Sequence, residues 1–112
     1  MKVLISGSKD FDDPLVFRRA MGVVMSDLND SELVLLLAGS YKTNELARQF
    51  VNLTESSFSS RGMKINYRHV PPTDIPWHEV DMVVCLVKPP KSNTALGYEA
   101  ESMNKDVHVF RY

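Results

Sequence analysis

Three uninterrupted apolar runs constrain this chain more than any other feature. They are Val3-Leu4-Ile5, Leu33 to Leu37 and Met82 to Val87. A strand wetted on one face alternates apolar and polar residues, whereas a continuous run suits a strand covered on both faces, as in a parallel sheet. Each run stops at small, polar or cationic residues: Ser6-Gly7-Ser8-Lys9, then Ala38-Gly39-Ser40-Tyr41-Lys42, then Lys88-Pro89-Pro90-Lys91-Ser92-Asn93-Thr94. A helix start signal follows each loop. In open α/β sheets, ligands bind beyond the carboxyl ends of the strands. The three loops are therefore expected to meet at one site for an anionic ligand, with a nucleotide as the leading candidate.

The same logic orders the rest of the chain. Lys2 to Ser6 is predicted as the first strand. Asp13-Pro14 opens the first helix, with Asp as cap and Pro at the first helical position. That helix is expected to reach Leu28, with Leu15, Ala20, Val23, Val24 and Leu28 facing inward. Gly22 weakens it by roughly 1 kcal/mol relative to Ala, which suggests close packing there. Thr43 or Asn44 is expected to cap a second helix running to about Arg61, with Leu46, Phe50, Leu53 and Phe58 inward. The serines after Thr54 compete for backbone groups and weaken that prediction. Gly62 fits the left-handed residue that ends many helices.

Met63 to His69 alternates Lys64, Asn66 and Arg68 with Ile65 and Tyr67, the pattern of an edge strand. Trp77 is expected to anchor the loop that follows. Ser92 or Asn93 caps a last helix to about Asn104, and Val107 to Phe110 forms the fifth strand. The order predicts a parallel five-stranded α/β sheet, 3-2-1-4-5, with helices on both faces. Its switch point lies between strands one and four.

Length and charge narrow the function classes. The chain has 112 residues, the size of one domain. Its net charge of −1 lacks the basic excess that binding to long nucleic acids requires. Cys85 is the only cysteine, so no internal disulfide is expected, and its apolar setting marks it as a small buried hydrophobe. No run approaches the roughly 18 apolar residues of a membrane span, and Val3-Leu4-Ile5 is too short for the core of a secretory signal. A reducing, cytoplasm-like compartment is the expectation. Met21, Met25 and Met103 suggest exposed apolar surface for a homodimer or larger assembly, or else core filling.

The chain resembles the SLOG superfamily, the Rossmann-like proteins related to DprA and to the LOG lysine-decarboxylase-like proteins, above all the small YspA (YpsA-related) branch. Ile5-Ser6-Gly7-Ser8-Lys9-Asp10-Phe11-Asp12-Asp13 is similar to that branch's first-strand motif, Gly-Ser-Arg followed by an acidic or aromatic pair. The family's Gly-Gly-Ala-Arg-Gly-Ala-Asp-x-x-Ala corresponds to Ala38 through Ala47, where Gly39 and Ala47 match and Asn44 is an isostere of Asp. Its small-residue turn ending in Gly-Thr corresponds to Ser92-Asn93-Thr94, where Thr94 matches. The resemblance implies a Rossmann-like fold that binds nucleotides or nucleotide-derived signals, including cyclic and ADP-ribose-type ones, at these loops. LOG-type phosphoribohydrolases carry Pro-Gly-Gly-x-Gly-Thr-x-x-Glu. Counted from Thr94, their glutamate falls on Gly97, and Glu99 lies two residues late, about 200° around the helix.

The candidate ligand-binding set is therefore Ser6, Gly7, Ser8, Lys9, Phe11, Gly39, Ser40, Tyr41, Lys42, Asn44, Lys88, Ser92, Asn93 and Thr94. Gly7 and Gly39 permit close backbone approach, and the amides of Ser6 to Lys9 are expected to form an anion-binding concavity. Lys9, where the family has Arg, offers a point charge to phosphate. Phe11 either stacks on a base or plugs the core. Asn44 either caps its helix or contacts ribose. Ser92, Asn93 and Thr94 either cap the last helix or meet the ligand, with Lys88 and Lys91 flanking them. No metal or cofactor is expected: His69, His78 and His108 lack ligand spacing. The expected function is binding without turnover, in a sensor or a sequestering protein. The alternative is cleavage of an N-glycosidic bond.

Overall fold

The computed structural model describes residues 1–111. The elements, in chain order, are β1 (Lys2–Gly7), α1 (Pro14–Ser26), β2 (Glu32–Leu37), α2 (Tyr41–Ser60), β3 (Lys64–His69), β4 (Met82–Val87), α3 (Ala95–Ser102) and β5 (Val107–Arg111). A single 3-10 turn, Trp77–Glu79, interrupts the long β3–β4 connection. The five strands form one parallel sheet in the order β3-β2-β1-β4-β5, the expected doubly wound α/β arrangement. Ile5 of β1 sits beside Leu37 of β2 and Val84 of β4.

Successive side chains of a strand point to opposite faces, and the two faces form separate cores. Val3, Ile5, Leu33, Leu35, Leu37, Met82, Val84 and Leu86 pack with α1 and α2. Leu4, Leu36, Val83, Cys85 and Val87 pack with Leu96 and Ala100 of α3 and with the long connection. Trp77 joins this second face half-buried, and Lys105 Nζ donates to its carbonyl at 2.7 Å. The connection is anchored as expected. In β3 only Ile65 is buried, as befits an edge.

The helices depart from expectation in phase and in start. In α1 the buried residues are Val16, Phe17, Ala20, Met21 and Val24, while Leu15 is 69% exposed. In α2 they are Thr43, Ala47, Val51 and Phe58, while Leu53 is 78% exposed. In α2 the smaller Ala47 and Val51 face the sheet, and the bulkier Leu46 and Phe50 flank them half-buried. Size at the contact, which periodicity ignores, sets the phase. A Cβ added to Gly22 would meet no atom within 4 Å, so close packing does not explain this glycine. Met21 is a core residue and Met25 packs half-buried on the same cluster, so a methionine patch does not form on α1.

The caps explain the bounds. Asp13 Oδ1 accepts from the Leu15 and Val16 amides at 2.9 and 3.2 Å. The first helix closes at Ser26, before Leu28, on the Asp27 amide. The second persists through its serines because Phe58 anchors the last turns in the core. It then ends with Gly62 at φ +70° and the Met63 amide on the Phe58 carbonyl at 2.8 Å. Ser40 stands at the start of α2 and Thr94 caps α3, each displaced from the expected cap. The last helix stops at Ser102, before Asn104. No helix among the described residues is long and apolar enough to cross a membrane.

Candidate functional site

The loops after β1, β2 and β4 line one crevice of about 360 Å³ at the β1/β4 switch point. That is within the usual size of small-molecule sites. Its walls are Ser6, Gly7, Ser8 and Lys9 from the first loop, Ala38, Gly39 and Ser40 from the second, and Lys91, Asn93, Thr94, Ala95 and Leu96 from the third.

Hydrogen bonds lock the loops together. The Gly7 amide donates to the Gly39 carbonyl at 3.0 Å and the Ser8 amide to the Leu86 carbonyl at 2.8 Å. The Ser40 hydroxyl donates to the Ser8 carbonyl at 3.2 Å, and the Lys88 amide donates to Ser8 Oγ at 3.2 Å. Ser6 Oγ donates to Thr94 Oγ1 at 2.9 Å, joining β1 to the start of α3. This bracing corrects one expectation. The Gly7 amide is spent on the loop after β2 and the Ser8 amide on β4, which leaves the Lys9 amide as the one in Gly7 to Lys9 without a protein acceptor among the described residues.

The two glycines have different reasons. A Cβ on Gly7 would lie 2.0 Å from Oγ1 of the buried Thr43, so Gly7 lets α2 close against β1. Gly39 has φ +115°, which favours glycine, and its amide donates to Asn44 Oδ1 at 3.1 Å. Asn44 thus braces the loop and does not line the crevice. The Gly39–Ser40 and Pro89–Pro90 peptide bonds are cis.

Other expected residues also lie off the crevice. Phe11 has no exposed surface and belongs to the α1/α2 core, so it plugs the fold and offers no ring to a base. Tyr41 and Lys42 line a separate depression with Asp12, Glu45 and Leu46, with Lys42 Nζ 4.0 Å from Asp12. Ser92 hydrogen-bonds to the Tyr98 hydroxyl, holding the third loop to α3. Lys88 is outside the lining, and Lys91 takes the cationic place there. Ala38, Ala95 and Leu96 join the walls although the sequence did not single them out. Their only signal was adjacency to Gly39 and Thr94, because apolar residues at a strand end or a helix start announce no chemistry.

The electrostatics have one sign. Among the described residues Lys9 and Lys91 are the charged liners, and no carboxylate lines the crevice. The orphan first-turn amides of α3, Ala95 and Leu96, lie on its wall, where a helix start carries about half a positive charge. Asn93 is held at both ends: Oδ1 accepts from the Thr94 amide at 2.8 Å, and Nδ2 donates to Glu101 Oε1 at 2.8 Å. Thr94 Oγ1 accepts from the Gly97 amide at 3.0 Å. Beneath the floor, burial pushes the Cys85 thiol up to about 11, against a smaller opposing hydrogen bond from Thr94.

Gly97, the position of the LOG-type glutamate, is buried. A Cβ there would meet Asn93 Oδ1 at 2.1 Å and Cys85 Sγ at 2.7 Å. A side chain there would have to displace those of Asn93 and Cys85. Glu99 is exposed and Glu101 serves Asn93. Compared with known proteins, the chain matches no protein-family model and no curated sequence.

Proposed function

We propose that this chain binds a nucleotide or nucleotide-derived ligand through its phosphate groups and does not turn it over, acting as a sensor or a sequestering protein. One observation carries the reading: the crevice at the switch point is walled by two lysines, hydroxyls and a helix start, with no carboxylate among its described liners. Anions are favoured there by about 0.3–1 kcal/mol per helix start, in addition to the lysine charges. The proposal includes divergent membership of the SLOG superfamily, supported by the strand order and by the glycines that open the first two loops. Binding without turnover is supported by the packing at Gly97, where the position of the LOG-type glutamate carries no acid and a Cβ would meet Asn93 and Cys85.

A thermal-shift screen with nucleoside mono- and diphosphates and ADP-ribose tests it, with chromatography of the same mixtures. A ligand at 100 times its dissociation constant adds about 2.7 kcal/mol of stability. Stabilisation with intact ligand is expected. Release of free base at enzyme-like rates would replace the binding reading with N-glycosidic cleavage.

A further inference from the structure

We infer that the crevice holds its ligand by phosphate alone and reads neither base nor ribose, so that its ligand class is defined by a diphosphate or phosphate ester and not by a particular nucleoside. This rests on the phosphate-binding reading above and narrows it. What decides it is which polar groups the walls have left to offer.

Base recognition needs a stacking surface or a mixed set of donors and acceptors facing the base edge. Among the described residues no aromatic lines the crevice: Tyr41, next to Ser40 in sequence, lines a separate depression, and Phe11 is sealed in the core. Among the described residues Asn93 is the only lining side-chain amide, the group best suited to a base edge, and it is buried with its oxygen held by the Thr94 amide and its nitrogen by Glu101. A ribose diol is commonly held by a carboxylate acceptor, and none among the described residues lines the wall. The charged side chains that remain are cationic. Lys9 and Lys91 are in no ion pair among the described residues, and Ser8 is buried with its hydroxyl accepting from Lys88 and its proton left over. Unpaired cations and a free hydroxyl proton match phosphate oxygens, which only accept.

Calorimetric titration of the intact protein with ADP, GDP, CDP, UDP, pyrophosphate and adenosine tests this. The four nucleoside diphosphates are expected to bind within about threefold of one another, pyrophosphate within about tenfold of them, and adenosine not at all. Lys9→Ala with Lys91→Ala is expected to weaken all four by the same factor, with the fold verified by circular dichroism. One diphosphate binding more than about tenfold tighter than the rest, or adenosine binding comparably to ADP, overturns the inference while leaving nucleotide binding intact. Absence of binding by every diphosphate overturns both.

Discussion

At the residue scale, two kinds of glycine predict opposite outcomes. Gly22 faces open space in a helix interior, so Gly22→Ala is expected to stabilise by about 0.5–1 kcal/mol. Gly7 and Gly97 face Thr43 and the Asn93–Cys85 pair at contact distances no Cβ tolerates. Gly7→Ala and Gly97→Ala are each expected to cost about 1–3 kcal/mol by overpacking. Denaturant unfolding of the three variants measures both signs. Cys85 gives a second prediction. With its thiol held up at about 11 by burial, the thiolate is scarce at pH 8, and labelling by a thiol reagent is expected only after unfolding. The sequence disclosed the buried cysteine through its apolar neighbours. It did not disclose that Gly97 lets α3 reach that sulfur, because the contact joins residues brought together only by the β4–α3 turn.

At the element scale, helix α1 depends on one side chain at its start. Asp13→Ala removes the acceptor for the Leu15 and Val16 amides and is expected to cost about 1 kcal/mol, read as a lower denaturation midpoint. The long connection has its own tie. Glu79 accepts from Lys2 Nζ at 2.5 Å and lies 3.6 Å from Arg68, joining the turn to β1 and to the β3 edge. The hydrogen bond from Lys2 is the main reason its carboxyl sits below the usual range. A carboxyl depressed in the fold contributes stability that is present above its unfolded value and lost as pH falls through the folded one. Glu79→Gln is therefore expected to flatten the loss of melting temperature on acidification below about pH 4.5. Strand identity, strand order and the Asp13 cap were legible because continuous apolar runs and Asp-Pro are local signals. The phase of α1 and α2 was not. Leu15 and Leu53 look like core residues by hydropathy, yet the sheet accepts Ala47 and Val51 where close approach is needed.

At the scale of the whole molecule, a parallel sheet that reverses its winding between β1 and β4 leaves a gap that no helix covers, and three loops furnish it. Which residues gather there was largely legible: Ser6 to Lys9, Gly39, Ser40, Asn93 and Thr94 all reach the wall. What they have left to offer was not. Backbone bonds to the β2 loop and to β4 consume the Gly7 and Ser8 amides, and side-chain bonds hold Asn93 at both ends, none of which spacing reveals. Phosphate binding in this crevice is tested most directly by amide chemical-shift mapping of the isotope-labelled protein during titration with ADP. Saturable shifts are expected, largest at Lys9, Ser40, Ala95 and Leu96 and small at Leu15 and Leu53. Saturable shifts centred on the exposed α1/α2 face, with the crevice amides unmoved, would contradict it.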